Sequence, residues 1–232
     1  AKRLRKQLEK QGVEFYMQSA VKSISDGKVT FERKGKEQSV EADKVLMAVG
    51  RRPVVEGYGL ENTTIEHDAR GIVVDDNMQT NVPGVYAIGD VNARMMLAHA
   101  ATMQGLHVVN HILGIPDNIR LDIMPAAIFT NPEAACVGKT EDQLKAEGVE
   151  IEVRKKMYRT NGRALAMNEA EGYIKLCVSA TDGLILSCHA FGAHSADIVQ
   201  EVSALMCKNT TLHELHEMVH IHPTLGEMLQ EI

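Results

Sequence analysis

A chain of 232 residues can bury a substantial core and has room for more than one domain. With 44% hydrophobic and 24% charged residues it has the composition of an ordinary globular protein. A formal net charge of −6 argues against nucleic acid or an anionic membrane as the main partner. No apolar run approaches a membrane span, and the basic start (Lys2, Arg3, Arg5, Lys6) lacks the apolar stretch of a secretion signal. Cys136, Cys177, Cys188 and Cys207 are far apart, form no C-x-x-C pair and sit among apolar neighbours. Buried, reduced thiols in a cytoplasmic location are therefore expected.

Leu4 and Leu8 stand one helical turn apart and Gly12 is a plausible stop, so residues 2–11 are expected to be helical. Val13–Met17 is predicted as a short strand. Asp26-Gly27 is a strong hairpin signal between strands at Val21–Ser25 and Lys28–Arg33, and Gly35-Lys36 turns the chain into Gln38–Glu41. Lys44–Val49 is nearly all apolar, the pattern of a buried parallel strand, and ends at Gly50. These elements suggest the closing half of a nucleotide-binding α/β unit whose glycine-rich phosphate turn is not among them. A piece of a larger architecture is the expectation.

Val85–Ile88 is predicted as a second buried strand, with Gly89-Asp90 at its carboxyl end, where open α/β sheets bind ligands. Glycine admits a close backbone approach and an aspartate can accept hydrogen bonds from sugar hydroxyls. A plain strand-to-loop turn would also read Gly-Asp. A mostly apolar helix should follow over residues 96–113, capped by Gly114. From about residue 119 the pattern changes. Strands are expected at Ala126–Phe129, Ala134–Val137, Val149–Met157, Gly172–Ser179 and Leu184–Ala193. Helices should start at the capping box Thr140-Glu141-Asp142-Gln143, run over Ile198–Lys208, and start again near Thr211. Antiparallel strands followed by helices point to an α+β layer.

The chemistry is concentrated near the end of the chain. His222 precedes Pro223, and Glu227 lies five residues on. An imidazole oriented by a carboxylate is the usual device for moving a proton near neutral pH. Thr224-Leu225-Gly226-Glu227 is also a capping box, so Glu227 has a second possible employment at a helix start. His216-Glu217-Met218-Val219-His220 fits the H-E-x-x-H zinc signature, but Pro223 follows closely and no third ligand stands at metalloprotease spacing. No metal is expected.

Four pieces occur together and in order: Gly50-Arg51-Arg52-Pro53, Thr80 through Asp90, Met96-Leu97-Ala98-His99, and His220-Ile221-His222-Pro223-Thr224 with Glu227. On these the chain resembles the C-terminal half of the dihydrolipoamide dehydrogenase family of flavoprotein disulfide reductases. The Met96–His99 piece favours that family over glutathione reductase and mercuric reductase. The resemblance implies a fold of α/β and α+β parts. Residues 1–50 would end a Rossmann-like NAD domain, 51–118 would complete the FAD-binding part, and 119–232 would be an interface domain through which two subunits pair. Asp90 would hold the flavin ribityl chain and Met96, Leu97, Ala98 and His99 would lie along the flavin. Gly50, and less strongly Val21, would contact NAD.

The implied reaction oxidises dihydrolipoamide, borne by a lipoyl-carrying protein of a 2-oxo acid dehydrogenase complex, through an enzyme disulfide and FAD to NAD. His222 would be the base and Glu227 its orienting partner, serving the other subunit of a homodimer. The family's redox pair, two cysteines separated by four residues, does not occur in this sequence. The chain by itself is therefore expected to be inactive. A non-catalytic dimerisation module, or a related disulfide reductase such as glutathione reductase, are the alternatives.

Overall fold

In the computed structural model, which describes residues 1–232, Asp26 and Gly27 both take positive φ (50° and 68°). That is the backbone of a type I′ turn, whose twist matches paired strands. Lys34 and Gly35 repeat it, with φ of 52° and 72°. The two turns link β1 (Ser19–Ser25), β2 (Lys28–Arg33) and β3 (Lys36–Glu41) into an antiparallel meander. Phe31 is its buried residue, and the Tyr16 ring packs on it at 5.1 Å between centroids. Helix α1 (Lys2–Lys10) buries none of its side chains. These elements belong to the first of two compact units, Ala1–Arg51; the second is Arg52–Ile232.

Two expected strands are missing from the first unit. Val13–Met17 and Lys44–Val49 have no strand conformation, and Leu46 and Val49 stay 88% and 86% exposed. A β-strand exists only by bonding to a neighbour, and no strand of this unit flanks residues 44–49.

In the second unit, Val85–Ile88 is likewise not a ladder strand. It is held by a single bridge, Gln79 to Tyr86, and by backbone bonds from Thr80 N–H to Val85 O and from Ala87 N–H to Met78 O. Leu60, Ile72 and Ala87 form a small core there, beside the short pair β4 (His67–Asp68) and β5 (Gly71–Ile72). Helix α2 spans Ala98–Leu113 and stops where Gly114 turns left-handed at φ 67°. It begins two residues later than its apolar run because Leu97 is extended, at φ −131° and ψ 137°.

The largest core belongs to a five-stranded antiparallel sheet in the order β6-β7-β10-β9-β8. Its strands are β6 (Ala126–Ile128), β7 (Ala134–Gly138), β8 (Ile151–Met157), β9 (Tyr173–Ser179) and β10 (Ile185–Phe191). Helix α3 (Glu141–Ala146) starts at Thr140 and α6 (Leu212–Glu217) at Thr211, each through a complete capping box. Helix α4 (Gly162–Ala166) is short, and α5 (Ser195–Cys207) lies against β7 and β10. Val137, Ile174, Leu176 and Cys188 of the sheet meet Ile198, Val199 and Val202 of α5 and Leu215 of α6 in one continuous core. Each large side chain so buried contributes about 1.5–3 kcal/mol.

The thiols differ from expectation at two positions. Cys177 and Cys188 are buried, but Cys136 is only partly covered and Cys207, at the last turn of α5, is exposed. No helix is long and apolar enough to cross a membrane.

Candidate active site

Helix α6 ends at Glu217 because Met218 is extended, at φ −79° and ψ 132°. The chain then runs as an irregular loop to the short 3-10 turn Gly226–Met228. His220, Thr224 and Glu227 fix this loop. His220 is 9% exposed, with Nε2 2.8 Å from Glu201 Oε1 on α5 and Nδ1 3.1 Å from Met218 O. Thr224 donates through Oγ1 to Ile221 O at 2.6 Å. His222, between these anchors and joined to Pro223 by a cis peptide, is 81% exposed.

His222 Nδ1 lies 2.7 Å from Glu227 Oε2. A carboxylate can only accept, so Nδ1 carries the hydrogen and the Nε2 lone pair faces outward as a base. When Nε2 takes a proton, the carboxylate beside the ring stabilises the cation. Glu227 itself is 13% exposed and pinned on its other side. Its Oε1 accepts from Asn161 Nδ2 at 3.2 Å. The capping-box alternative is half realised: Glu227 N–H donates to Thr224 Oγ1 at 3.3 Å, while the carboxylate is turned to His222 and Asn161.

Asn161 gave no signal in the sequence. It caps α4, accepting the Ala164 N–H at 2.9 Å through Oδ1, and its Nδ2 also donates to Thr224 O at 3.0 Å. The turn that presents it is anchored by Tyr158, whose backbone oxygen accepts the Asn161 N–H and whose hydroxyl donates to Ala193 O at 2.7 Å. Burial pushes the Tyr158 phenol up to about 12. A Cβ on Gly192 would lie 2.7 Å from the Tyr158 ring, so that glycine makes room for it.

The zinc signature does not assemble. With α6 ending at Glu217, His216 and His220 do not share a helical face, and both nitrogens of His220 are occupied.

Asp90 lies half-buried in a 3-10 turn, Gly89–Asn92. Gly89 has φ 73°, and its N–H donates to Gln104 Oε1 at 2.8 Å. Asn92 Nδ2 donates to the same oxygen at 3.1 Å and to Ala87 O at 2.9 Å. Gln104 and Asn92 are both buried. They brace the Asp90 turn without help from a strand. The visible clue to Gln104 is a polar residue on the inner face of an otherwise apolar helix. Met96 and Leu97 are half-buried in the extended lead into α2, and Ala98 and His99 open the helix on its exposed side. His99 Nε2–H donates to Pro125 O at 2.8 Å, which occupies one ring nitrogen in joining α2 to the C-terminal layer. Gly50 and Val21 belong to the first unit. Gly50 takes φ 104°, open only to glycine at low cost, and Val21 is exposed on β1 beside a bulge.

Residues 1–105 match the family model described as pyridine nucleotide-disulphide oxidoreductase, and residues 124–232 match its dimerisation domain. A dihydrolipoyl dehydrogenase of Bacillus subtilis is 41% identical over 97% of this chain and 49% of its own length. One from Cupriavidus necator is 38% identical over 100% of this chain and 50% of its own. The solved structure of LpdA from Mycobacterium tuberculosis has a TM-score of 0.89 at 26% identity, covering 98% of this chain and 50% of that one. The HOCl-induced flavoprotein disulfide reductase RclA from Escherichia coli, at 24% identity and a TM-score of 0.86 over 100% of this chain and 54% of its own, shares the fold. The chain thus spans about half the length of the curated relatives it matches. With both family models matched in order along nearly all of its residues, this chain belongs to the pyridine nucleotide-disulphide oxidoreductase family.

Proposed function

We propose that these residues form the C-terminal portion of a dihydrolipoyl dehydrogenase, with His222 as the base and Glu227 as its orienting partner. The observation that carries this reading is the 2.7 Å contact from a largely covered carboxylate to an imidazole that is itself exposed. A ring fixed on one nitrogen and open on the other suits a proton acceptor for a thiol. A thiol of pKa about 8.5 is a poor nucleophile at neutral pH until its proton is removed. In the proposed step a dihydrolipoamide S–H proton passes to His222 Nε2. The thiolate then attacks one sulfur of an enzyme disulfide, forming a mixed disulfide as the S–S bond breaks and the other cysteine leaves as a thiolate, and Glu227 stabilises the imidazolium.

Val219 and Ile221, in the loop that leads into His222, are both highly exposed apolar side chains. They suit a homodimer in which His222 serves a site on the other subunit. On this reading residues 1–50 complete an NAD domain, 51–118 complete an FAD domain and 119–232 pair the subunits. FAD, when bound, would carry electrons from the dithiol to NAD. The braced Gly89-Asp90 turn fits a hydroxylated chain, since glycine leaves the backbone open and the carboxylate accepts hydrogen bonds. Met96–His99 would lie beside that cofactor, and Gly50 and Val21 beside NAD. The dithiol substrate would arrive on a lipoyl-carrying protein of a 2-oxo acid dehydrogenase complex in the cytoplasm.

A second reading, a dimerisation module without turnover, is favoured by one observation: no two cysteines here are separated by four residues. The 232-residue chain should therefore purify colourless and fail to reduce NAD with dihydrolipoamide. In the full-length enzyme that the first reading implies, His222→Gln should lower the rate of dithiol oxidation by about 10²–10⁴-fold, the usual contribution of a general base. Undiminished oxidation in that variant would remove His222 from the mechanism.

A further inference from the structure

We infer that Asn161 is a positioning residue for the His222–Glu227 pair; this deepens the reading of that pair as the proton-moving device and rests on it. Asn161 is 2% exposed, and the structure spends every polar atom of its side chain. Oδ1 accepts the Ala164 N–H, and Nδ2 donates to Thr224 O and to Glu227 Oε1. With Oε1 held there, Oε2 is aimed at His222 Nδ1. Glu227 then has no second orientation of equal energy, because turning away from the ring would also break the Asn161 bond.

The choice of side chain follows from the chemistry. An acceptor is needed for the α4 cap and a donor for the carboxylate, and an amide supplies both on one short stem. Serine or aspartate would keep the cap acceptor. Serine cannot supply two donors alongside that acceptor, and ionised aspartate supplies none, placing a like charge beside Glu227. Asn161 and Glu227 stand far apart in sequence, yet Tyr158 and the sheet fix the one relative to the other.

The test reads the tautomer of the neutral His222 ring by nitrogen-15 NMR on the 232-residue chain, with Asn161→Ser, Asn161→Asp and Glu227→Gln. The native ring should carry its hydrogen on Nδ1, and Glu227→Gln should lose that preference. Both Asn161 variants should cut the Nδ1–H to Nε2–H ratio about fivefold, the effect of one ordinary hydrogen bond. Adding Asn161→Ser to Glu227→Gln should change nothing more. If Glu227→Gln loses the preference while both Asn161 variants keep the native ratio, Asn161 is only a helix cap and the inference fails. If Glu227→Gln itself keeps the native ratio, the pairing of His222 with Glu227 fails and takes the inference with it. Neither result depends on turnover.

Discussion

Val85–Asp90 and His220–Glu227 both end in a carboxylate suited to a site, but they reach their geometry by opposite routes. The first has the sequence of a buried strand and forms almost none of it. Its terminal turn is held instead by the amides of Gln104 and Asn92. The second has no regular structure before its 3-10 turn and is fixed from both sides by Glu201 and Asn161, which hang on a completed sheet-and-helix layer. Side-chain bracing can therefore set a functional group whether or not the backbone around it is paired. What pairing adds is the stability of the surroundings.

That contrast can be broken most forcefully in the core. Leu176 is fully buried in β9 between α5 and its neighbouring strands, whereas Leu46 lies in the unpaired run 44–49. Leu176→Ala should cost about 2–5 kcal/mol in denaturant unfolding. Leu46→Ala should stay within about 0.5 kcal/mol, as for an exposed site. A large loss at Leu46 in the 232-residue chain would show that residues 44–49 are covered after all.

The same contrast explains what could be read beforehand. Asp26-Gly27, Thr140 with Gln143, Thr211 with Glu214, and His222 with Glu227 are each pairs within five residues, so local backbone geometry decides them. Asn161 and Glu201 reach the loop only after the sheet and α5 have formed, and nothing near them in sequence announces it. Lys44–Val49 and Val85–Ile88 have strand composition, but a strand requires a partner that periodicity cannot supply. Cys207 escapes burial for a similar reason: its apolar neighbour Met206 faces the core while Cys207, one residue on, faces out.

The completed layer acts on the site through Tyr158, the anchor behind Asn161. Burial raises its phenol from 10.0 to about 12. For a raised pKa the stabilising contribution is whole below the unfolded value and disappears as pH climbs through the folded one. The native chain should therefore lose about 2 kcal/mol relative to Tyr158→Phe between pH 10 and 12. Denaturant titrations of both proteins at those pH values check it, and parallel pH profiles would contradict it.

The Asp90 turn should respond to a smaller change. Gln104→Leu keeps the apolar bulk but strands the buried Gly89 N–H and takes one acceptor from the buried Asn92 amide, which keeps its bond to Ala87 O. The expected loss is about 1–3 kcal/mol, confined to protection of amides near residues 87–92 in hydrogen exchange. Equal protection in the variant would mean that the turn is held by its backbone alone.

The smallest effect separates bracing from secondary structure around the dyad itself. Helix α6 leads into the His222 loop, and Thr211 caps it by accepting the Glu214 N–H, while the Glu214 carboxylate accepts the Thr211 N–H and hydroxyl. Those bonds hold the Glu214 carboxyl below the usual carboxylate range. For a lowered pKa the contribution is present above the unfolded value and is lost as pH falls through the folded one. Thr211→Ala should cost about 1 kcal/mol near neutral pH as a lost helix cap, and because it also removes the hydroxyl bond to the Glu214 carboxylate, the gap from the native chain should narrow under acid. The His222 tautomer should not move, because the loop beyond Met218 is tied to Glu201 and Asn161 rather than to the helix that precedes it. A tautomer shift in Thr211→Ala would show that α6 helps to orient the ring, and would erase the distinction between the braced loop and the regular structure beside it.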